Sequence, residues 1–188
     1  ETGLYYHAFD ESREMFWCDQ VTGLSQNYWL RSLGWFAMAL VDTLEEMDEQ
    51  IFYEYRKLMS MFKDFVDSMI QYQDEETSMW YQVPDKGDRE GNYLETSGSA
   101  MMSCAIMKAV RLGYLPERYW AYGAKGFEGI QKRYLKEKDG ELSLGGICLV
   151  AGLGGKDRRD GSFEYYMSEP VVENEAKGVA PFLLAYTE

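Results

Sequence analysis

The chain has 188 residues, a formal net charge of −13, and 46% hydrophobic with 15% aromatic side chains, enough apolar material for one domain or part of a larger one. The acidic balance repels polyanions, which argues against nucleic acid and anionic membrane surfaces as partners and leaves any anionic substrate to be met by a local basic site. Three scattered cysteines (Cys18, Cys104, Cys148) and one histidine (His7) argue against a disulfide framework and for a reducing, cytoplasmic setting, and no metal or other cofactor is expected.

The opening Glu1-Thr2-Gly3 shows neither a start methionine nor a signal-peptide pattern, so the natural start is expected upstream. No apolar run is long enough to span a bilayer. Residues 2 to 10, TGLYYHAFD, return in pattern at residues 77 to 85, TSMWYQVPD. Each is followed by a loop rich in Gly and Asp and then by a helix entered through Asn-Tyr, at Asn27-Tyr28 and at Asn92-Tyr93, so the repeating unit is a helical hairpin. The stretch Thr22 to Leu44 reads as a helix with Asn27 as its N-cap. Leu33, Phe36, Ala37, Met38, Leu40, Val41 and Leu44 point all round the wheel, which predicts neighbours on both sides. Trp29 and Arg31 fall in its first turn. There the helix end favours anions, and a guanidinium fork can hold a carboxylate.

The next helix, Ile51 to Tyr72, carries its apolar residues on one side, as an outer helix does. Glu95 to Leu112 is rich in Ser, Gly, Ala and Met, which suits close inner packing, and Arg118 to Lys138 is again amphipathic and outer. Gly140 to Gly155 predicts short extended segments, followed by an Asp160-Gly161 turn and an apolar helix from about Gly178 to Tyr186. Alternating inner and outer helices describe an all-α fold, an α/α toroid. Two hairpins and part of a third do not close a ring, so residues 1–188 are expected to form the C-terminal half of a single α/α barrel.

The runs YYHAFDES (5 to 12), TGLSQNYWLRSLGWFAMALVD (22 to 42), GNYLETSGSAMM (91 to 102) and VAGLGGKDRRDGSFEYYMSEPVVENEAKGVAPFLLA (150 to 185) together resemble the C-terminal half of the family 105 glycoside hydrolases. These are the unsaturated rhamnogalacturonyl hydrolases, related to the family 88 unsaturated glucuronyl hydrolases. The resemblance implies an (α/α)6 six-hairpin barrel that removes a 4,5-unsaturated galacturonic acid from the non-reducing end of rhamnogalacturonan and pectin oligosaccharides. In that chemistry an aspartic acid protonates the vinyl-ether double bond, water adds at C5, and the hemiketal falls apart. The family's sugar-binding positions map onto His7, Trp29, Arg31 and Trp35. Its acid/base aspartate belongs upstream of residue 1, so no catalytic residue is assigned here. The fragment by itself is expected to be inactive and to associate with the missing N-terminal half or with itself.

Each of these residues also has a plainer reading. His7 could pack among Tyr5, Tyr6 and Phe9, and Trp29 and Trp35 could be packing residues rather than stacking platforms for a sugar ring. Arg31 could pair with Asp10 or Asp19. Glu95, Thr96 and Ser97 could cap their helix or line the mouth. The Gly152 to Lys156 segment fails as a phosphate loop because Val150 stands where the first glycine is needed and Asp157 follows the lysine. Lys156, Arg158 and Arg159 could instead bring positive charge near an anionic sugar. The pairs Glu45-Glu46 and Asp74-Glu75-Glu76 read as solvation rather than as a glycosidase pair. Two other functions stay open, a non-catalytic carbohydrate-binding half-toroid and a sugar epimerase on the same fold. The epimerase is disfavoured because His7 is the sole histidine.

Overall fold

A computed structural model describes residues 2–48 and 50–188. Helix α1 (Leu30–Glu46) and the outer α2 (Phe52–Ile70) form the first hairpin, and α3 (Thr96–Arg111) and α4 (Trp120–Tyr134) form the second. The third region holds β1 (Leu135–Lys138), β2 (Glu141–Leu144), β3 (Ile147–Cys148), α5 (Phe163–Ser168), β4 (Val171–Val172) and α6 (Ala176–Thr187). Helix α3 packs between α1 and α6, with α2 behind α1 and α4 behind α3. Inner helices thus follow one another round an arc, as the alternation of apolar and amphipathic segments predicts. Among the described residues no helix is long and apolar enough to cross a membrane.

Two predicted boundaries are corrected. Helix α1 starts at Leu30, with Trp29 rather than Asn27 in the N-cap position and no side-chain cap. There the Leu30 amide donates to the Gln82 carbonyl at 3.0 Å, so backbone from the second repeat takes up one of the orphan amides of the helix end. Asn27 instead donates its side-chain amide to the Gly161 carbonyl at 2.7 Å and accepts from the Lys86 ammonium. The outer helix expected to reach Lys138 ends at Tyr134, and its last four residues form β1, which pairs antiparallel with β2 from Leu135↔Leu144 to Lys138↔Glu141. The Asp139-Gly140 turn between them has φ of 55° and 80°, the left-handed geometry that matches strand twist in a two-residue hairpin, and it overrides the helical spacing before it. Helix α5 was not anticipated. Ser162 Oγ caps it by accepting from the Tyr165 amide at 3.1 Å.

The sequence repeat is a structural one. Gly3 and Ser78 share a left-handed backbone, with φ of 68° and 58°, and the next residues, Leu4 and Met79, are both buried. His7 N donates to the Asn27 carbonyl at 3.2 Å, as Gln82 N does to the Tyr93 carbonyl at 2.8 Å. Asn27 therefore corresponds to Tyr93, one residue off the Asn-Tyr match. The same frame places His7 and Gln82 in equivalent positions.

Inner helices meet closely. A Cβ on Gly34 would lie 2.7 Å from Met101 Cβ, and one on Gly98 would lie 2.9 Å from the Leu30 carbonyl carbon. Each end of the arc leaves apolar side chains in solvent. Trp35 on α1 is 52% exposed, and Leu183, Leu184 and Tyr186 on α6 are 55%, 48% and 71% exposed. Gly98→Ala is expected to destabilise the fold by about 1 to 3 kcal/mol through overpacking of α3 against α1. Urea unfolding measures this, and an unchanged midpoint would remove close approach as the reason for glycine there.

Candidate functional site

Because each inner helix is followed by a returning outer one, the inner N-termini gather at one end of the arc. Their N-cap positions are Trp29, Glu95 and Glu175. Glu95 is fully buried and its carboxylate is saturated with donors. Oε1 accepts from Ser97 N at 3.1 Å, Ser97 Oγ at 2.7 Å and Cys148 N at 3.0 Å, and Oε2 accepts from Gly98 N at 2.7 Å. Capping explains this residue, and neither it nor Thr96 nor Ser97 is open to solvent.

Arg31 reaches the same carboxylate. Its Nη2 lies 3.6 Å from Glu95 Oε1, with side-chain exposures of 2% and 0%. Nε donates to Ser97 Oγ at 2.7 Å, Nη2 donates to the Cys148 carbonyl, and Nη1 reaches the Leu149 carbonyl at 3.5 Å. The alternative reading of Arg31, an ion pair with Asp10 or Asp19, gives way to this pair with Glu95. Asp10 accepts from the amides of Ser12, Glu14 and Met15, and Asp19 from those of Val21 and Thr22. Short carboxylates close their own loops first, whereas Arg31 follows the inward face of α1 to the next helix.

Around that pair stand His7 and Trp29. The His7 ring centroid lies 4.6 Å from that of Trp29, whose Nε1 donates to Gln82 Oε1 at 3.2 Å, and the Arg31 guanidinium lies 5.4 Å from the indole. His7 Nδ1 and Tyr166 OH are 2.6 Å apart. Burial pushes the Tyr166 phenol above its ordinary range and holds the His7 imidazole down at about 4, so both are neutral near pH 7. The phenol stays protonated, and it shares one hydrogen bond with Nδ1 whose direction follows the imidazole tautomer. His7 also lines a cleft of about 190 Å³ with Tyr5, Tyr6, Ser32, Leu33 and Phe36. Trp35, more than a turn along α1, stands in solvent outside this group.

The structure thus gathers His7, Trp29 and Arg31 and leaves Trp35 apart. It adds Tyr166, Gln82, Tyr93 and Cys148, which sequence reasoning did not single out. Gln82 carried a usable signal, its place in the repeat opposite His7. Its Nε2 and the Tyr93 hydroxyl are buried without hydrogen-bond partners among the described residues. Burial, then the Glu95 charge, pushes the Cys148 thiol up. Of the cations near Gly152, Arg159 donates Nε to the Gly154 carbonyl at 3.3 Å, and Arg158 lies 4.5 Å from the Phe16 ring centroid.

Comparison with known proteins gives this arrangement a context. The profile of Glycosyl Hydrolase Family 88 matches residues 1–188. A protein of Agrobacterium fabrum is 40% identical over 193 aligned positions, covering 99% of this chain and 82% of its own length. The unsaturated rhamnogalacturonyl hydrolase YesR of Bacillus subtilis is 29% identical over 142 positions, covering 76% of this chain and 36% of its own. The solved structure of a family 105 glycoside hydrolase from C. acetobutylicum ATCC 824 superposes with a TM-score of 0.95 at 48% identity, covering 98% of this chain and 51% of that one. The chain spans about half the length of that enzyme.

Arg31→Ala would strand the Glu95 carboxylate in the interior and is expected to cost about 3 to 5 kcal/mol. Paired with Glu95→Gln it should cost clearly less than the sum of the two single losses. Denaturant unfolding of the four proteins measures this, and additive losses would dissolve the pair.

His7 gives a pH signature. Because burial depresses its folded value to about 4 from the ordinary 6.5, the unfolded chain takes the proton first on acidification. Stability contributed by neutral His7 is full above pH 6.5 and declines as the pH falls to about 4. As the single histidine, it is read directly by the pH dependence of its ring resonances, and a midpoint near 6.5 would contradict its enclosure.

Proposed function

The chain belongs to glycosyl hydrolase family 88, and on that premise we propose that it supplies half of an unsaturated uronyl hydrolase of the family 105 type, which removes 4,5-unsaturated galacturonic acid from the non-reducing end of rhamnogalacturonan and pectin oligosaccharides. The observation that carries this reading is the contact of His7, Trp29 and Arg31 at the N-terminal end of α1. A protein with a net charge of −13 needs a local cation to accept a uronate, and the helix end adds its own partial positive charge.

In this reading the sugar ring lies against Trp29, and Nε2 of the neutral His7 imidazole hydrogen-bonds a ring hydroxyl. The uronate approaches Arg31 from the Nη1 side, where the 3.5 Å bond to the Leu149 carbonyl is the loosest of the arginine's hydrogen bonds. Trp35, half exposed on the same helix, offers a second stacking surface. The proton delivered to C4 comes from an aspartic acid of the complementary half-barrel. Water adds at C5, and the hemiketal opens to release the shortened oligosaccharide. The free, buried Cys18, Cys104 and Cys148 favour a cytoplasmic setting for such an enzyme.

The complete protein containing this chain should consume an unsaturated rhamnogalacturonan disaccharide, followed by loss of the ultraviolet absorbance of the double bond. The methyl ester of the same sugar should react at least about tenfold more slowly, since a desolvated charge pair typically contributes about 2 kcal/mol or more. Persistence of the absorbance, or equal rates on acid and ester, would sink the assignment.

A further inference from the structure

Two members of the sugar site are locked by partners already described, His7 by the Tyr166 phenol and Arg31 by Glu95 and Ser97. The third, Trp29, is held by Gln82, a residue to which the reading above gives no part. We propose that Gln82 is a positioning residue for the sugar site, fixing the plane of the Trp29 indole and with it the pose of the bound ring, an inference that rests on the reading of Trp29 as the stacking surface.

Backbone placement comes first. Gln82 occupies in the second repeat the place that His7 occupies in the first, and both are carried to the entry of α1. The Gln82 amide donates to the Tyr93 carbonyl at 2.8 Å, and its carbonyl accepts from the Leu30 amide at 3.0 Å. Its side-chain Oε1 then accepts from Trp29 Nε1 at 3.2 Å. One residue thus grips two neighbours, Leu30 through its backbone and Trp29 through its carboxamide, which leaves the indole little freedom to turn. Any turn would also disturb the His7 ring, 4.6 Å away between centroids, and the Arg31 guanidinium, 5.4 Å from the indole.

Energetics then separates positioning from packing. Gln82 is fully buried. The indole nitrogen can only donate, so the carboxamide presents its oxygen there and turns Nε2 the other way. On that side the amide acts on the Cys148 thiol, a weak acceptor, and Nε2 makes no hydrogen bond among the described residues. A buried donor left unpaired costs stability, and methionine, of similar length and adaptable shape, would fill the same space without that cost. Packing alone therefore does not select glutamine here. What glutamine supplies and methionine lacks is a strong oxygen acceptor for the indole. A held ring matters most in catalysis, where a small misplacement of a bound reactant costs rate out of proportion to its effect on folding.

The test uses the complete protein bearing this chain, with Gln82→Met and with Gln82→Glu, which keeps an oxygen acceptor at the same reach. Gln82→Met should hold or raise the thermal unfolding midpoint while lowering kcat/KM for the unsaturated disaccharide at least about tenfold, with most of the loss in kcat. Gln82→Glu should recover most of that rate. The Trp29 indole N–H resonance, identified by its loss in Trp29→Phe, should move upfield in Gln82→Met, and the shift that saturated methyl galacturonoside induces in it should shrink. An unchanged indole resonance, an unchanged rate, or a fall in midpoint that accounts for the lost rate in Gln82→Met would overturn the proposal, as would a folded Gln82→Glu variant no faster than Gln82→Met. A parent protein whose indole resonance responds to the saturated sugar, with that response reduced in Gln82→Met, but which leaves the unsaturated disaccharide intact, would instead refute the hydrolase reading and keep the role of Gln82. A parent whose indole responds to no sugar would remove both.

Discussion

The buried contact between Arg31 and Glu95 is the constraint on which the rest of the fold depends. It joins three consecutive parts of the chain, since Arg31 sits on α1, Glu95 caps α3, and the Cys148 amide and carbonyl belong to β3. Two charges removed from water are costly unless each is surrounded by partners. Here Ser97 Oγ bridges them, accepting from Arg31 Nε and donating to Glu95 Oε1, while three backbone amides complete the carboxylate. Such a network tolerates few geometries. It fixes the separation of α1 and α3 near the ends where their glycines also bring them into contact, and it sets Trp29 at the mouth with the guanidinium beside its ring.

From that fixed end of α1 the neighbouring side chains follow. The Trp29 indole is anchored by Gln82, and His7 is held by Tyr166 from the far end of the sequence. Two side chains from one repeat are thereby locked by residues of the next two. The arrangement suits a site that must be complete before substrate arrives, because its donors are already oriented and desolvated. It also explains why His7 is neutral, as the enclosure that positions the ring penalises its charge.

Much of this was legible in the sequence, for identifiable reasons. The limits of α3 were readable because its small residues and its flanking loops change composition together, and α6 because a dense apolar run follows turn residues. The end of α4 was not, since Leu135–Lys138 continues the spacing of the helix and the Asp139-Gly140 hairpin signal came just after it. Asn27 has the composition of a cap, yet backbone from another repeat takes the Leu30 amide and the Asn27 side chain turns to Gly161 and Lys86. Of the residues that gather at this end of α1, His7, Trp29 and Arg31 were named through motif resemblance. Tyr166 lay inside a matching run with nothing local to mark it. The partner of Arg31 was beyond local reading, because two nearby aspartates offered the same charge and only the packing of α1 on α3 decides between them and Glu95.

The sugar-binding account is tested most directly by a crystal structure of the complete protein bearing this chain, with its catalytic acid replaced, in complex with an unsaturated rhamnogalacturonan disaccharide. The account predicts the unsaturated ring against Trp29 and within hydrogen-bond reach of His7 Nε2, its carboxylate toward Arg31 Nη1, with the Arg31–Glu95 contact kept. A disaccharide bound elsewhere, with His7 and Trp29 left untouched, would contradict it.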